Sequence, residues 1–111
     1  MVRRGEIHMA DPGDPIGHGQ AFRRPVLIVG GRPWLDSNPP VFTVVPLTRT
    51  CRESPTRVEI GPGSSGLKEI GHAECGDLRA ISPLRLERSF GTVEDTVLFR
   101  VELVLRRLLV L

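Results

Sequence analysis

The sequence predicts one α+β domain, mainly β, in which a small barrel or curled sheet of short strands is completed by a long C-terminal helix. Short runs rich in Val, Ile and Leu alternate with clusters drawn from twelve Gly and ten Pro, the pattern of a β body with tight turns. After Thr92 the period changes, and apolar residues recur at the three- and four-residue spacing of a helix. At 111 residues the chain fits a single domain, 1–111, with one modest core. Such a core buries roughly 65% of the unfolded surface.

Residues 5–10, Gly-Glu-Ile-His-Met-Ala, read as a first strand. Asp11 to Gln20 holds Pro12, Gly13, Pro15, Gly17 and Gly19 and is expected as an exposed loop. Pro25 to Val29 is a β-branched and Leu run stopped by Gly30-Gly31, hence a buried strand. Arg32 to Pro40 reads as a second long loop, stiffened by Pro33, Pro39 and Pro40. The apolar content of Val41 to Leu47 predicts a strand buried on both faces. Thr56 to Ile60 alternates, with Thr56, Val58 and Ile60 on one face and Arg57 and Glu59 on the other. Gly61 to Gly66 is a turn. Two further short strands are expected at Asp77 to Ile81 and Leu86 to Thr92, separated by a helical turn that Ser82-Pro83 starts.

The C-terminal segment differs in kind. Thr92-Val93-Glu94-Asp95 resembles a capping box in which Asp replaces the usual Glu or Gln. Val97, Leu98, Val101, Val104, Leu105, Leu108 and Leu109 then form a broad apolar stripe. Phe99, Leu103 and Val110 fall on a second face, between Arg100 and Arg107 on one flank and Glu102 and Arg106 on the other. The first stripe suits the domain's own sheet. The second suits a second subunit, or else strand edges of the same chain.

Composition excludes more than it selects. The chain is 40% hydrophobic and 25% charged, which is globular rather than disordered. Four Phe, one Trp and no Tyr are few for a protein that holds nucleic acid mainly on an aromatic platform. The net charge of +2 is weak evidence for any partner. Lys68 is the only lysine, and an arginine excess suits bidentate phosphate contacts as well as it suits a GC-rich genome. The start Met1-Val2-Arg3-Arg4-Gly5-Glu6 lacks the apolar stretch of a secretory leader, and no run is long enough to span a membrane. A cytoplasmic setting, with Cys51 and Cys75 reduced, is therefore expected. His72 and Cys75 alone do not make a zinc site, and no metal or other cofactor is expected.

Two stretches carry chemistry. In Gly17-His18-Gly19-Gln20-Ala21-Phe22-Arg23-Arg24-Pro25 a Gly-bearing loop delivers an arginine to the mouth of a buried strand. Thr43-Val44-Val45-Pro46-Leu47-Thr48 is a buried strand ending in a hydroxyl. If the two strands are neighbours, Arg24 and Thr48 converge under the loop. An arginine and a hydroxyl without metal ligands suit phosphoryl transfer that uses RNA's own 2′-hydroxyl as nucleophile. On spacing alone, Arg24 pairing with a surface carboxylate and Thr48 merely ending a strand remain the alternative.

The same residues carry a resemblance. Gly5-Glu6-Ile7, Asp11, Gly17, Gln20 and Arg24-Pro25-Val26-Leu27-Ile28-Val29 resemble, without a gap, the N-terminal signature of MazF/PemK (Kid) toxins. Val44-Val45-Pro46-Leu47-Thr48 is similar to the family's second signature, an apolar strand ending in Pro-x-Thr. Asp77-Leu78-Arg79-Ala80-Ile81 followed by Arg85-Leu86 resembles the third. The likeness runs from Arg3 to about Leu109 and includes the helix. It implies an SH3-like barrel of the CcdB/MazF type, acting as a homodimeric, metal-independent endoribonuclease on single-stranded RNA. A cognate MazE-like antitoxin would hold the enzyme inactive. By motif position it implies that Arg24 stabilises the phosphate, that Thr48 assists there, and that Gln20 lies near the RNA path. Arg23, Arg49, Arg79 and Asp77 are expected along that path.

The departures bear on mechanism. The family's loop Ser-Glu is His18-Gly19 here, so a loop acid is absent; His18 is a candidate proton-transfer group, since an ordinary imidazole suits proton transfer near neutrality, and a solvated loop histidine is the alternative. Asp77 stands where Gln is typical, and Ile7-His8-Met9 lacks the usual aromatic. Arg79 could contact either RNA or a carboxylate such as Glu74. Two other readings share the fold: a CcdB-like gyrase poison and a catalytically silent binding module. The first is disfavoured by the ending Leu108-Leu109-Val110-Leu111, where those toxins carry Trp and Gly.

Overall fold

A computed structural model describes residues 2–11, 23–49 and 53–111. Among these, seven strands join in one antiparallel sheet: β1 (Glu6–Ala10), β2 (Arg24–Ile28), β3 (Phe42–Thr48), β4 (Arg57–Ile60), β5 (Gly71–Glu74), β6 (Arg79–Ile81) and β7 (Leu86–Thr92). Their order is β4-β5-β3-β2-β1-β7, with β6 also on β3. Helix α1 (Arg32–Asp36) follows β2, and α2 (Asp95–Leu109) ends the fold.

Strand β3 organises the sheet because it has two partners on one side. Phe42–Val44 pairs with β6, whereas Leu47–Thr48 pairs with β5. The Val29 amide donates to the Thr43 carbonyl at 3.1 Å, so odd-numbered residues of β3 turn their amides toward β2. Pro46 therefore aims its nitrogen at the opposite edge, where β6 has ended and β5 begins. A proline inside a central strand normally loses a ladder bond. Here it stands in the gap between partners.

Alternation along the central strands makes two cores. Ile7, Leu27 and Val45 face one another in register and turn toward α2, joined there by Leu47, Val58, Ile60, Ala73 and Val101. Val26, Ile28 and Val44 turn the other way and pack with Ala10, Leu35 and Ile81. Ile81 of β6 and Leu86 of β7 come from distant positions in the sheet order yet share this second cluster, so the sheet curls around it. Burying each such side chain contributes about 1.5–3 kcal/mol. The arrangement agrees with the expected α+β class.

Helix α2 lies on the first core through Val97, Leu98, Val101, Val104 and Leu105. The Arg4 guanidinium pins it by donating to the Val29 carbonyl and pairing with Glu102. Leu108 and Leu109, expected in the packed stripe, are 42% and 52% exposed, beyond the last helix residue that packs on the core, Leu105. Phe99 and Leu103 of the second face are also exposed. The helix starts later than the capping box predicts. Thr92 is occupied as the last residue of β7, opposite Glu6, and its amide donates to the Ser64 carbonyl at 2.9 Å. Glu94 stands at the cap instead, its carbonyl accepting from the Val97 and Leu98 amides.

Two other expectations are corrected. The stretch read as a loop from Arg32 to Pro40 begins with α1, because Pro33 sits in the first turn where its missing N–H is not needed and Leu35 reaches the core. The strand expected from Asp77 starts at Arg79, after a single 3-10 turn at Cys75–Asp77. Strand β5 is formed by Gly-His-Ala-Glu, residues of poor strand propensity, because β3 and β4 pair with it on both sides.

Glu74 ties this region together. Its carboxylate accepts from the Thr56 hydroxyl (2.7 Å), the Gly76 amide (3.2 Å) and Arg57 Nε (2.6 Å). Partial burial works against its charge, but these bonds and the Arg57 cation outweigh burial and hold it below the ordinary carboxylate range. A carboxyl lowered in the folded state adds stability above its unfolded titration and loses it as pH falls through the folded one. Glu74→Gln should therefore cost about 1–2 kcal/mol near neutrality. In urea titrations the gap to the unsubstituted protein should close as pH drops below about 4. A gap that stays constant with pH contradicts the assignment.

Candidate active site

The ends of two buried strands bring the predicted residues together. Arg24 opens β2 and Thr48 closes β3. Val26 faces Pro46, and the same register carried two residues further sets Arg24 opposite Thr48 on one face. Residues so placed have Cβ atoms about 5 Å apart. Across the next pairing Thr48 faces His72, and His72 in turn faces Glu59. One row thus crosses four strands.

Both Arg24 and Thr48 line a cleft of about 720 Å³. Its described lining includes the cations Arg23, Arg24, Arg49, Lys68 and Arg88, with Glu69 as the one carboxylate among them. Two of the expected contact residues are already engaged. Arg23 forms a two-point ion pair with Glu87, its Nε donating at 2.8 Å, and Arg49 lies 3.7 Å from Glu69. The hydrogen bond from Arg23 holds the Glu87 carboxyl below its usual range, aided by the Arg23 and Arg88 charges. Exposed pairs of this kind are individually weak, so a phosphate can displace them. Asp77 and Arg79 stand apart from the cleft lining. They pair with each other at 3.3 Å, and Arg79 sits opposite Val44, about 13 Å along β3 from Thr48. His18 and Gln20 lie outside the described residues.

The other wall of the cleft was not legible in the sequence. The β1–β7 register shifts twice, leaving extra residues on β7 between the pairs Ile7↔Gly91, His8↔Ser89 and Ala10↔Leu86. Phe90 falls in one bulge, and Glu87 and Arg88 fall in the other. Such bulges re-aim side chains. Here Arg88 lies over the Phe90 ring at 5.2 Å, and both line the cleft. The spacing of Arg88 and Phe90 along a strand was the only available signal, and it does not reveal a bulge. His8 fastens the two strands: its Nδ1 donates to the Glu87 carbonyl (3.0 Å), and its Nε2 lies 2.8 Å from the Glu6 carboxylate.

Cys75 is part of the core. Burial, with the Glu74 charge beside it, pushes its thiol up to about 11, which keeps it protonated. Among the described residues no three His, Cys, Asp or Glu side chains are grouped to hold a metal ion.

Residues 3–109 match the model of a family described as the PemK-like, MazF-like toxin of type II toxin–antitoxin systems. Among curated proteins none matches the chain at a significant level. Solved structures do. An endoribonuclease from a Mycobacterial species, in complex with its cognate antitoxin, superposes with a TM-score of 0.80 at 23% identity, covering 100% of this chain and 97% of that one. The Mycobacterium tuberculosis toxin MazF-mt6 gives 0.78 at 23% identity, covering 96% and 97%. MazF from Deinococcus radiodurans gives 0.80 at 20% identity, covering 99% and 97%. At these identities the likeness concerns the fold.

The cleft's far wall depends on a close backbone approach. Gly66 has φ +78, and a Cβ there would overlap the Phe90 carbonyl. Gly66→Ala should lower stability by about 2 kcal/mol or more, from strain and overpacking together. Equal midpoints in urea for the two proteins would show that the turn does not rest on β7 as described.

Proposed function

The chain belongs to the family of PemK-like, MazF-like toxins of type II toxin–antitoxin systems, and from that premise we propose that it is a metal-independent endoribonuclease acting on single-stranded RNA. The observation that carries the reading is the placement of Arg24 and Thr48 at facing strand ends in a cleft rich in cations. In this reaction the 2′-hydroxyl attacks the adjacent phosphorus and the P–O5′ bond breaks. The products are a 2′,3′-cyclic phosphate and a 5′-hydroxyl. The Arg24 guanidinium holds the phosphorane oxygens and the Thr48 hydroxyl donates to one of them, a role worth on the order of 10²–10³ in rate for each fixed donor. Arg23 and Arg49 at the cleft, Arg79 and Asp77 beyond it, and Gln20 contact the RNA strand. His18 is a candidate for proton transfer.

The partners follow from the same premise. A cognate antitoxin of the MazE kind competes with RNA for the cleft, as cations paired to exchangeable carboxylates invite an acidic segment. A second copy of the chain covers Phe99 and Leu103, which are 59% and 41% exposed on α2. Among the described residues no helix is long and apolar enough to cross a membrane. We place the protein in the cytoplasm, where its RNA substrate is found.

A long RNA digested in the presence of EDTA should yield 5′-hydroxyl and cyclic-phosphate ends. Arg24→Ala should reduce single-turnover cleavage at least about 10²-fold while the fold is retained. Intact RNA with the unsubstituted protein refutes the ribonuclease reading, and cleavage by the Arg24→Ala protein at full rate refutes the role of that residue. For assembly, Leu103→Glu should convert a dimer to a monomer in sedimentation equilibrium, and a dimer of undiminished affinity would place the interface elsewhere.

A further inference from the structure

We propose that His72 is the general base of the cleavage reaction. This rests on the reading of Arg24 and Thr48 as the site that holds the scissile phosphate. Cleavage by the 2′-hydroxyl needs a group to take its proton, and neither an arginine nor a threonine serves well as a base near neutral pH. The sheet supplies one by register. Thr48 of β3 and His72 of β5 are a direct cross-strand pair, so their side chains share a face with Cβ atoms about 5 Å apart. Arg24 stands on the other flank of Thr48 on that face. A phosphate held over the Arg24 and Thr48 side chains lies on the same face as the imidazole, one strand away, so that its 2′-hydroxyl can turn toward His72.

The surroundings of His72 leave it available. It is half-buried and follows Gly71 of the cleft lining directly along β5, without being a lining residue itself. Among the described residues its ring makes no hydrogen bond or ion pair. His8, the other described histidine, is committed to the Glu87 carbonyl and the Glu6 carboxylate. The charged and titratable groups facing His72 can be named from both neighbouring strands. Glu59 is opposite on β4, and Thr48 is opposite on β3 with Arg24 beyond it. On β5 itself Glu74 is two residues away on the same face and is held by Arg57, Thr56 and Gly76.

In the step proposed, the neutral imidazole accepts the 2′-hydroxyl proton as the O2′–P bond forms. The P–O5′ bond then breaks, and the 5′-oxygen takes a proton from water. The imidazolium returns its proton to the hydroxide so formed, and the enzyme is restored. Protons balance, and no co-reactant beyond water is needed.

The test compares His72→Gln with the unsubstituted protein in single-turnover cleavage of one defined RNA, with binding measured separately on a 2′-O-methyl analogue. Loss of a general base costs about 10²-fold or more in rate, with affinity changed less than about threefold. The unsubstituted rate should rise with pH as the base loses its proton and then level. In His72→Gln that inflection should vanish, and imidazole added to His72→Ala should restore part of the rate. A His72→Gln protein within about threefold of full rate, with the inflection intact, overturns the proposal. So does loss of the inflection in His18→Ala but not in His72→Gln. If the unsubstituted protein cleaves no RNA, the ribonuclease reading fails first and is seen to fail on its own.

Discussion

Most of this structure depends on the change of partner along β3. The strand is buried on both faces through Val44, Val45, Pro46 and Leu47, so it cannot slip in register without turning apolar side chains outward. On one edge it holds β2 across the point of exchange, from Thr43 to Pro46. On the other it exchanges β6 for β5 at Pro46, the one residue that has no amide to leave unbonded. Everything beyond that point fans outward: β5 brings β4, β4 and the 3-10 turn after β5 meet α2, and β6 curls toward β7. The strand ends released by this divergence are where Arg24, Thr48 and His72 come together.

Charge decides what that corner can bind. The cleft holds more cations than carboxylates, but Arg23 and Arg49 are covered by Glu87 and Glu69 at the surface. Such covers keep the free protein's arginines ordered at little energetic gain, since exposed pairs contribute at most about 1 kcal/mol. An incoming polyanion then replaces one set of oxygens by another. The bulged β7 wall adds Arg88 and Phe90, a cation over an apolar ring, on the side opposite the strand-end row.

The sequence displayed periodicity and hid pairing. Strands β1, β2, β3, β4 and β7 and the long helix were legible because apolar alternation and helical spacing are local properties. Arg24 and Thr48 were legible because one opens and the other closes an apolar run. Strand β5 was not, since Gly-His-Ala-Glu has no strand character until β3 and β4 enclose it. For that reason His72 looked like an isolated histidine near a cysteine, when its register partner is Thr48. Helix α1 and the true start of α2 were missed for a related reason. Proline reads as a loop signal until its first-turn position is known, and Thr92 reads as a cap until β1 claims it.

The central claim is that facing strand ends form one phosphate site. A crystal structure with a short RNA carrying a 2′-O-methyl group at the cleavage position tests it most directly. The account predicts the scissile phosphate within about 3 Å of both the Arg24 guanidinium and the Thr48 hydroxyl, with the blocked O2′ turned toward His72. An RNA bound with that phosphate elsewhere, for instance on Arg79 and out of reach of Arg24, would contradict it.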